Sequence, residues 1–128
     1  MATQGLTLDT GAFIAAENGD RMVWRLLKTA RDRGARLTVP APVVAQVWRD
    51  PPHPQIARLV KACEVTSLGE ASAKAVGRLL GKAIAHDVVD GAVVASAVDR
   101  GNAILTSDPT DVRRLLKAAG SDLPIVAV

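Results

Sequence analysis

Five short apolar stretches punctuate this chain of 128 residues: Leu6–Leu8, Leu37–Val39, Val65–Leu68, Ala103–Thr106 and Ile125–Val128. Each is too short for an ordinary helix and rich in leucine or β-branched residues, which predicts buried strands. The segments between them carry apolar residues at helical spacing. Asp20 is placed to cap a helix that presents Trp24 and Leu27 and stops at Gly34. Ala41–Trp48 begins at Pro40 and Pro42 and is closed off by Pro51, Pro52 and Pro54. Ile56–Ala62 reads as a short helix, and Glu70–Ala85 as a long one rich in small residues. Val88–Arg100 is apolar nearly all round, which predicts burial, and Gly101 ends it. Asp111–Ala119 is amphipathic and ends at Gly120. Strands alternating with helices, with no Asn-Gly hairpin signal, predict a three-layer α/β/α domain around a mainly parallel sheet. No repeat, linker or low-complexity tract divides residues 1–128, so a single domain is expected, and that length supports a core without a metal or disulfide staple.

In open parallel sheets, ligands bind beyond the carboxyl ends of the strands. Two predicted strands run directly into aspartate there: Leu6-Thr7-Leu8-Asp9 and Ile104-Leu105-Thr106-Ser107-Asp108. Asp87 and Asp90 open the buried helix, and Asp111 follows Asp108 by one helical turn. Each acid has a plainer role available. Asp108-Pro109-Thr110-Asp111 is a good helix start by itself, Asp87 has the same logic, and Asp9 could cap a helix beginning near Ala12. Taken together the capping account weakens, because converging carboxylates repel one another unless a cation lies among them. An oxygen-only donor set suits Mg2+ or Mn2+. Such an ion activates water and supports displacement at phosphorus.

Composition sharpens this reading. Of 13 acidic residues ten are Asp and three are Glu, and eleven of 16 basic residues are Arg. Asp serves caps and metal sites, and Arg suits fork-shaped recognition of phosphate. The net charge of +3 and pI near 9.5 permit a nucleic-acid partner. Arg113 and Arg114, beyond the Asp108 turn, are candidates to clamp the phosphates of a nucleic-acid backbone. A lone cysteine, Cys63, excludes an internal disulfide and a multi-cysteine zinc site, and reads as a small core hydrophobe. No apolar run approaches the ~20 residues of a membrane span, and no signal peptide is visible, so a cytoplasmic protein without a membrane partner is expected.

The segments LDTGAFIAA, VPAPVVAQVWRD and DGAVVASAVDRGNAILTSD, in that order and with Asp111 after them, resemble the PIN-domain fold of the VapC toxin family over essentially the whole chain. The resemblance implies a Mg2+-dependent endoribonuclease acting on cellular RNA such as tRNA or rRNA. It further implies neutralisation by a cognate VapB-type antitoxin, and a homodimer. Its acidic site carries over onto Asp9, Asp90 and Asp108 as metal-holding catalytic residues, with Asp111 auxiliary and Thr106 a supporting hydroxyl. One position departs from the pattern: the second motif normally supplies a Glu, and the matching residue is Gln46. A carboxamide offers a neutral oxygen but no carboxylate. A site so altered would bind its cation more weakly, lean on substrate phosphate, or recruit Asp87; Glu17 is another substitute by sequence proximity to Asp9.

Gln46 therefore opens an alternative, a degenerate PIN domain that binds RNA or an antitoxin without cutting. Phosphatase chemistry on a similar sheet is disfavoured, since LDTGA lacks a second Asp two residues after the first, and receiver chemistry, since neither an acidic pair near the start nor a lysine after a late strand appears. His86 and His53 read as exposed loop residues. Trp24 and Trp48 suit a core or a protein interface better than base stacking, and Trp48 beside Arg49 suits an antitoxin contact.

Overall fold

A computed structural model describes residues 5–128. Five strands, β1 (Gly5–Leu8), β2 (Arg36–Pro40), β3 (Glu64–Thr66), β4 (Ala103–Thr106) and β5 (Ile125–Ala127), form one all-parallel sheet in the order β3-β2-β1-β4-β5. The fold class is that predicted, α/β with helices on both faces. Seven helices connect the strands: α1 (Thr10–Glu17), α2 (Arg21–Asp32), α3 (Ala41–Val47), α4 (Pro54–Ala62), α5 (Glu70–Ala83), α6 (Val88–Arg100) and α7 (Pro109–Ala118). The chain walks outward from β1 to β3, then crosses back to β4 on the other side of β1. Right-handed crossovers accordingly put α1–α4 on one face and α5–α7 on the other. α6 packs over β1, β2 and β4, and α5 packs on α6 and α7. Among the described residues no helix is long and apolar enough to cross a membrane.

The core is aliphatic, as two tryptophans and one phenylalanine require. Leu8, Phe13, Leu27, Val39, Ile56, Val94, Ile104 and Leu105 are all fully buried in one continuous cluster. The central strands β1 and β4 are buried along their whole length, the mark of a parallel sheet covered on both faces.

Three departures from the predicted elements have local causes. Residues 10–17 form α1, although their near-uniform apolarity gives no helical periodicity to detect. β3 ends at Thr66, short of Leu68, because its partner β2 ends at Pro40, where α3 begins and no further pairing surface remains. α5 stops at Ala83, since Ile84 turns into the left-handed region at φ 51°. The uniformly apolar α6 is buried through Gly91–Val94 and Ala97, while Val88 and Val98 at its ends are exposed.

This topology has a switch point between β1 and β4, from which successive connections leave in opposite directions. The crevice at the carboxyl ends of those two strands is where such sheets bind ligands. A glycine makes the approach possible. A Cβ on Gly11 would lie 1.9 Å from Ser107 Oγ and 2.4 Å from its Cβ, so the first turn of α1 and the loop after β4 can touch only without a side chain there.

Candidate metal centre

Four aspartates meet at the switch point, each delivered by a different local device. Asp9 follows β1 and is the N-cap of α1. Its backbone N–H donates to Leu105 O at 3.1 Å, which ties it to β4. One carboxylate oxygen accepts the Ala12 N–H at 3.2 Å, and the other accepts the Thr106 hydroxyl. Asp9 thus does both things the sequence offered: it caps a helix and it stands at the crevice, only 4% exposed. Asp90 lies in the first turn of α6, where its backbone N–H donates to the Asp87 carboxylate at 3.0 Å. Asp108 occupies the N-cap position of α7 but makes no side-chain capping bond, contrary to the helix-start reading. Its backbone N–H donates instead to Thr106 Oγ1 at 2.9 Å. The Thr106 hydroxyl therefore accepts from Asp108 and donates to Asp9, locking the two strand-end acids together.

The carboxylate oxygens of Asp90, Asp108 and Asp111 come within 4.8 Å of one another; Asp9 stands beside this trio and outside it. Among the described residues no ion pair reaches any of the four. Their protonation responds to this crowding. Burial raises Asp9 above its ordinary value, opposed by the bonds from Thr106 and the backbone, with a further push from the Asp108 charge. Burial also raises Asp90, to about 6, reinforced by the charges of Asp87, Asp108, Asp9 and Asp111. Asp108 is raised chiefly by its side-chain hydrogen bond with Asp111, then by burial and the Asp111 charge. Acceptor-only oxygens, mutually repelling and without a counter-charge, are the donor set that a hard divalent cation satisfies.

The remaining predicted residues divide sharply. Gln46, exposed on α3, accepts the hydroxyl of Thr10 through its Oε1 at 2.5 Å, so it stands next to Asp9. Asp87 spends a carboxylate oxygen as the α6 cap. Glu17 lies at the far end of the eight-residue α1, roughly 12 Å along the axis from Asp9, so it is outside the cluster. Arg113 and Arg114 are both exposed, and Arg114 donates to the carbonyls of Ala83 and Ile84 at 2.8–3.3 Å, holding the end of α5. His86 is exposed; His53 caps α4 by accepting the Gln55 N–H. Burial pushes the Cys63 thiol up to about 12, an inert thiol packed against the core. The Trp24 indole donates to Ala16 O and carries the Arg58 guanidinium 4.7 Å above its ring, while Trp48 is 39% exposed at the end of α3. Thr10 and Gly11 are the participants that sequence reasoning passed over. Their signal was a Thr-Gly pair directly after a strand-end aspartate.

The acidic cluster is an open shelf. A cavity of about 820 Å3 lies elsewhere, between α5, α6 and the end of β3, lined by Thr66, Ala75, Ser96 and Arg100 among others. Asp108 and Asp111 are exposed. A shelf of this kind can admit one phosphate of a long polymer, where an enclosed pocket would select a small molecule.

No family model matches the sequence, and no curated protein matches it. Its backbone nevertheless superposes on solved structures across nearly the whole chain. One match is a chain of VapBC2 from Rickettsia felis, crystallised bound to a DNA fragment from their promoter: TM-score 0.75, 12% identity, covering 96% of this chain and 98% of that one. Another is a chain of FitAB bound to an IR36 DNA fragment: TM-score 0.69, 14% identity, 95% and 94% covered. The fold is that of the PIN domain. At such identity the likeness speaks for the fold, and the chemistry of this chain rests on its own aspartates.

Proposed function

We propose that this protein is a metal-dependent endoribonuclease acting as the toxin of a toxin–antitoxin pair. The observation that carries the proposal is the gathering of Asp90, Asp108 and Asp111 beside the buried Asp9, at the switch point of the sheet, with no ion-paired cation among the described residues. Asp9, Asp90 and Asp108 are the metal-holding catalytic residues, with Asp111 as an auxiliary carboxylate. A bound Mg2+ or Mn2+ would supply an acidified water and offset negative charge at the phosphorus. Thr106 holds the Asp9 carboxylate in one orientation and binds the Asp108 backbone, so it positions two ligands at once. Asp87 fixes the start of α6 and so the height of Asp90. The exposed Arg113, one turn past Asp108, is suited to a flanking RNA phosphate.

An antitoxin partner is supported by the two superposed structures, both toxin–antitoxin complexes. The exposed Trp48 fits a protein contact of that kind. A homodimer, a cytoplasmic location and a single domain over residues 1–128 complete the reading. The test is cleavage of RNA by the purified full chain with Mg2+ or Mn2+. We expect activity that vanishes with EDTA and in Asp9→Asn; cleavage surviving both would overturn the proposal. The engagement of Gln46 by Thr10 favours one second reading, a degenerate domain that binds RNA without cutting. In that case the native chain stays silent and Gln46→Glu gains activity.

A further inference from the structure

Several polar side chains at the metal centre are acceptors or are already committed. The four aspartates can only accept when ionised. The Thr106 hydroxyl accepts from Asp108 and donates to Asp9, the Thr10 hydroxyl donates to Gln46, and Arg114 is spent on the carbonyls of Ala83 and Ile84. Gln46 differs from all of these. The Thr10 bond at 2.5 Å orients its carboxamide by the oxygen, leaving the two N–H donors of the amide for a ligand. Those donors cannot bind a cation. They can bind the oxygen of a phosphate.

We propose that Gln46 is a substrate-positioning residue, its side-chain amide donating to a phosphate oxygen of the RNA strand, and that it is not a metal ligand. The inference rests on the nuclease reading for its substrate class and goes beyond it in the role of this residue. Thr10 is part of the same device: sitting between Asp9 and Gly11, it fixes the amide relative to the metal centre. A glutamate at position 46 would add a further anion beside the four aspartates and repel the phosphate that the glutamine attracts. The substitution thus exchanges cation affinity for substrate affinity. Metal occupancy then depends more strongly on bound RNA.

Two equilibrium measurements on the full chain test this without relying on turnover. The first is binding of a short single-stranded RNA by fluorescence anisotropy with Ca2+ present; the second is Mn2+ binding by electron paramagnetic resonance without RNA. Gln46→Met should weaken RNA binding about tenfold, the loss of a hydrogen bond to a charged group, and leave Mn2+ affinity unchanged. Gln46→Glu should tighten Mn2+ and weaken RNA. Thr10→Val should weaken RNA by a smaller factor and add nothing on top of Gln46→Met, because the two act as one unit. The proposal is overturned if Gln46→Met leaves RNA affinity intact or costs Mn2+ affinity. It is equally overturned if the native chain binds no RNA. A native chain that binds RNA but never cuts it with Mn2+ would remove the nuclease reading and leave this role standing.

Discussion

At the N-terminal edge of the sheet, Asn102 is 4% exposed and donates its side-chain N–H to Thr7 at 3.2 Å, while Arg100 reaches Glu64 at 3.4 Å. At the opposite edge, Asp9, Asp90, Asp108 and Asp111 gather, and among the described residues no cation lies within ion-pair distance of them. Both edges carry close backbone approaches that need glycine. A Cβ on Gly5 would lie 2.6 Å from Arg36 O, and one on Gly11 would collide with Ser107. The edges differ in whether their polar groups find partners inside the molecule. Paired groups hold the fold together, whereas unpaired like charges weaken it and persist where an external ligand completes them.

The contrast is broken most sharply by removing charge from the acidic edge. Asp90→Asn should reduce Mn2+-dependent RNA cleavage by on the order of a hundredfold or more, as expected when a metal ligand is lost. The same substitution should raise the melting temperature of the metal-free protein, because it relieves the repulsion from Asp87, Asp108, Asp9 and Asp111. A parallel fall in both activity and melting temperature would show that Asp90 is structural.

At the other edge the effects should reverse. Asn102→Ala removes a buried partner of Thr7 and should cost about 1–3 kcal/mol in urea denaturation, with cleavage per folded molecule unchanged. Altered cleavage would mean that the two edges are coupled through β1 and β4.

Acidity sharpens the comparison further. The folded-state pKa of Asp90, about 6, lies above its ordinary value of 3.8, so the folded protein holds that proton more tightly than the unfolded chain. Metal-free native protein should therefore gain stability from this group as the pH falls from about 6 toward 3.8, and lack that contribution above 6. Mn2+ affinity should move the opposite way, falling below pH 6 as protons compete for the oxygens. Thermal melts in EDTA and Mn2+ titrations, each run for native protein and Asp90→Asn, isolate the contribution; identical profiles for the two would contradict it.

The smallest expected change is at Arg114. Arg114→Ala should cost about 1 kcal/mol of stability by freeing the Ala83 and Ile84 carbonyls, readable as a shift in denaturation midpoint. RNA affinity should follow Arg113→Ala instead, since the Arg114 guanidinium is held by the Ala83 and Ile84 carbonyls.

Much of this architecture was legible in the chain itself. Apolar runs between helical patterns specified a parallel α/β sheet, and β2 and β4 fall close to their predicted positions because buried strands are continuous in apolar character. α6 falls on the predicted Val88–Arg100, bounded by Asp87 at one end and Gly101 at the other. The aspartates were legible by position, since Asp9 and Asp108 directly follow strands and Asp90 opens a buried helix. α1 was less legible, because apolar residues fill its exposed positions, such as Ile14, as well as its buried ones and leave no amphipathic period.

What sequence could not assign was the division of labour among chemically identical side chains. Asp9, Asp87, Asp108 and Asp111 all occupy plausible capping positions. Packing alone made Asp9 and Asp87 true caps, freed the Asp108 carboxylate to meet Asp111, and gave the strand-end acids a shared hydroxyl in Thr106. The partnership of Thr10 with Gln46, 36 residues apart, arises only where the starts of α1 and the end of α3 are brought side by side. Local sequence determines which helix ends and strand ends exist. Hydrogen bonds and repulsions between them depend on distances of a few ångströms across the sheet, and those are decided only when the whole core has packed.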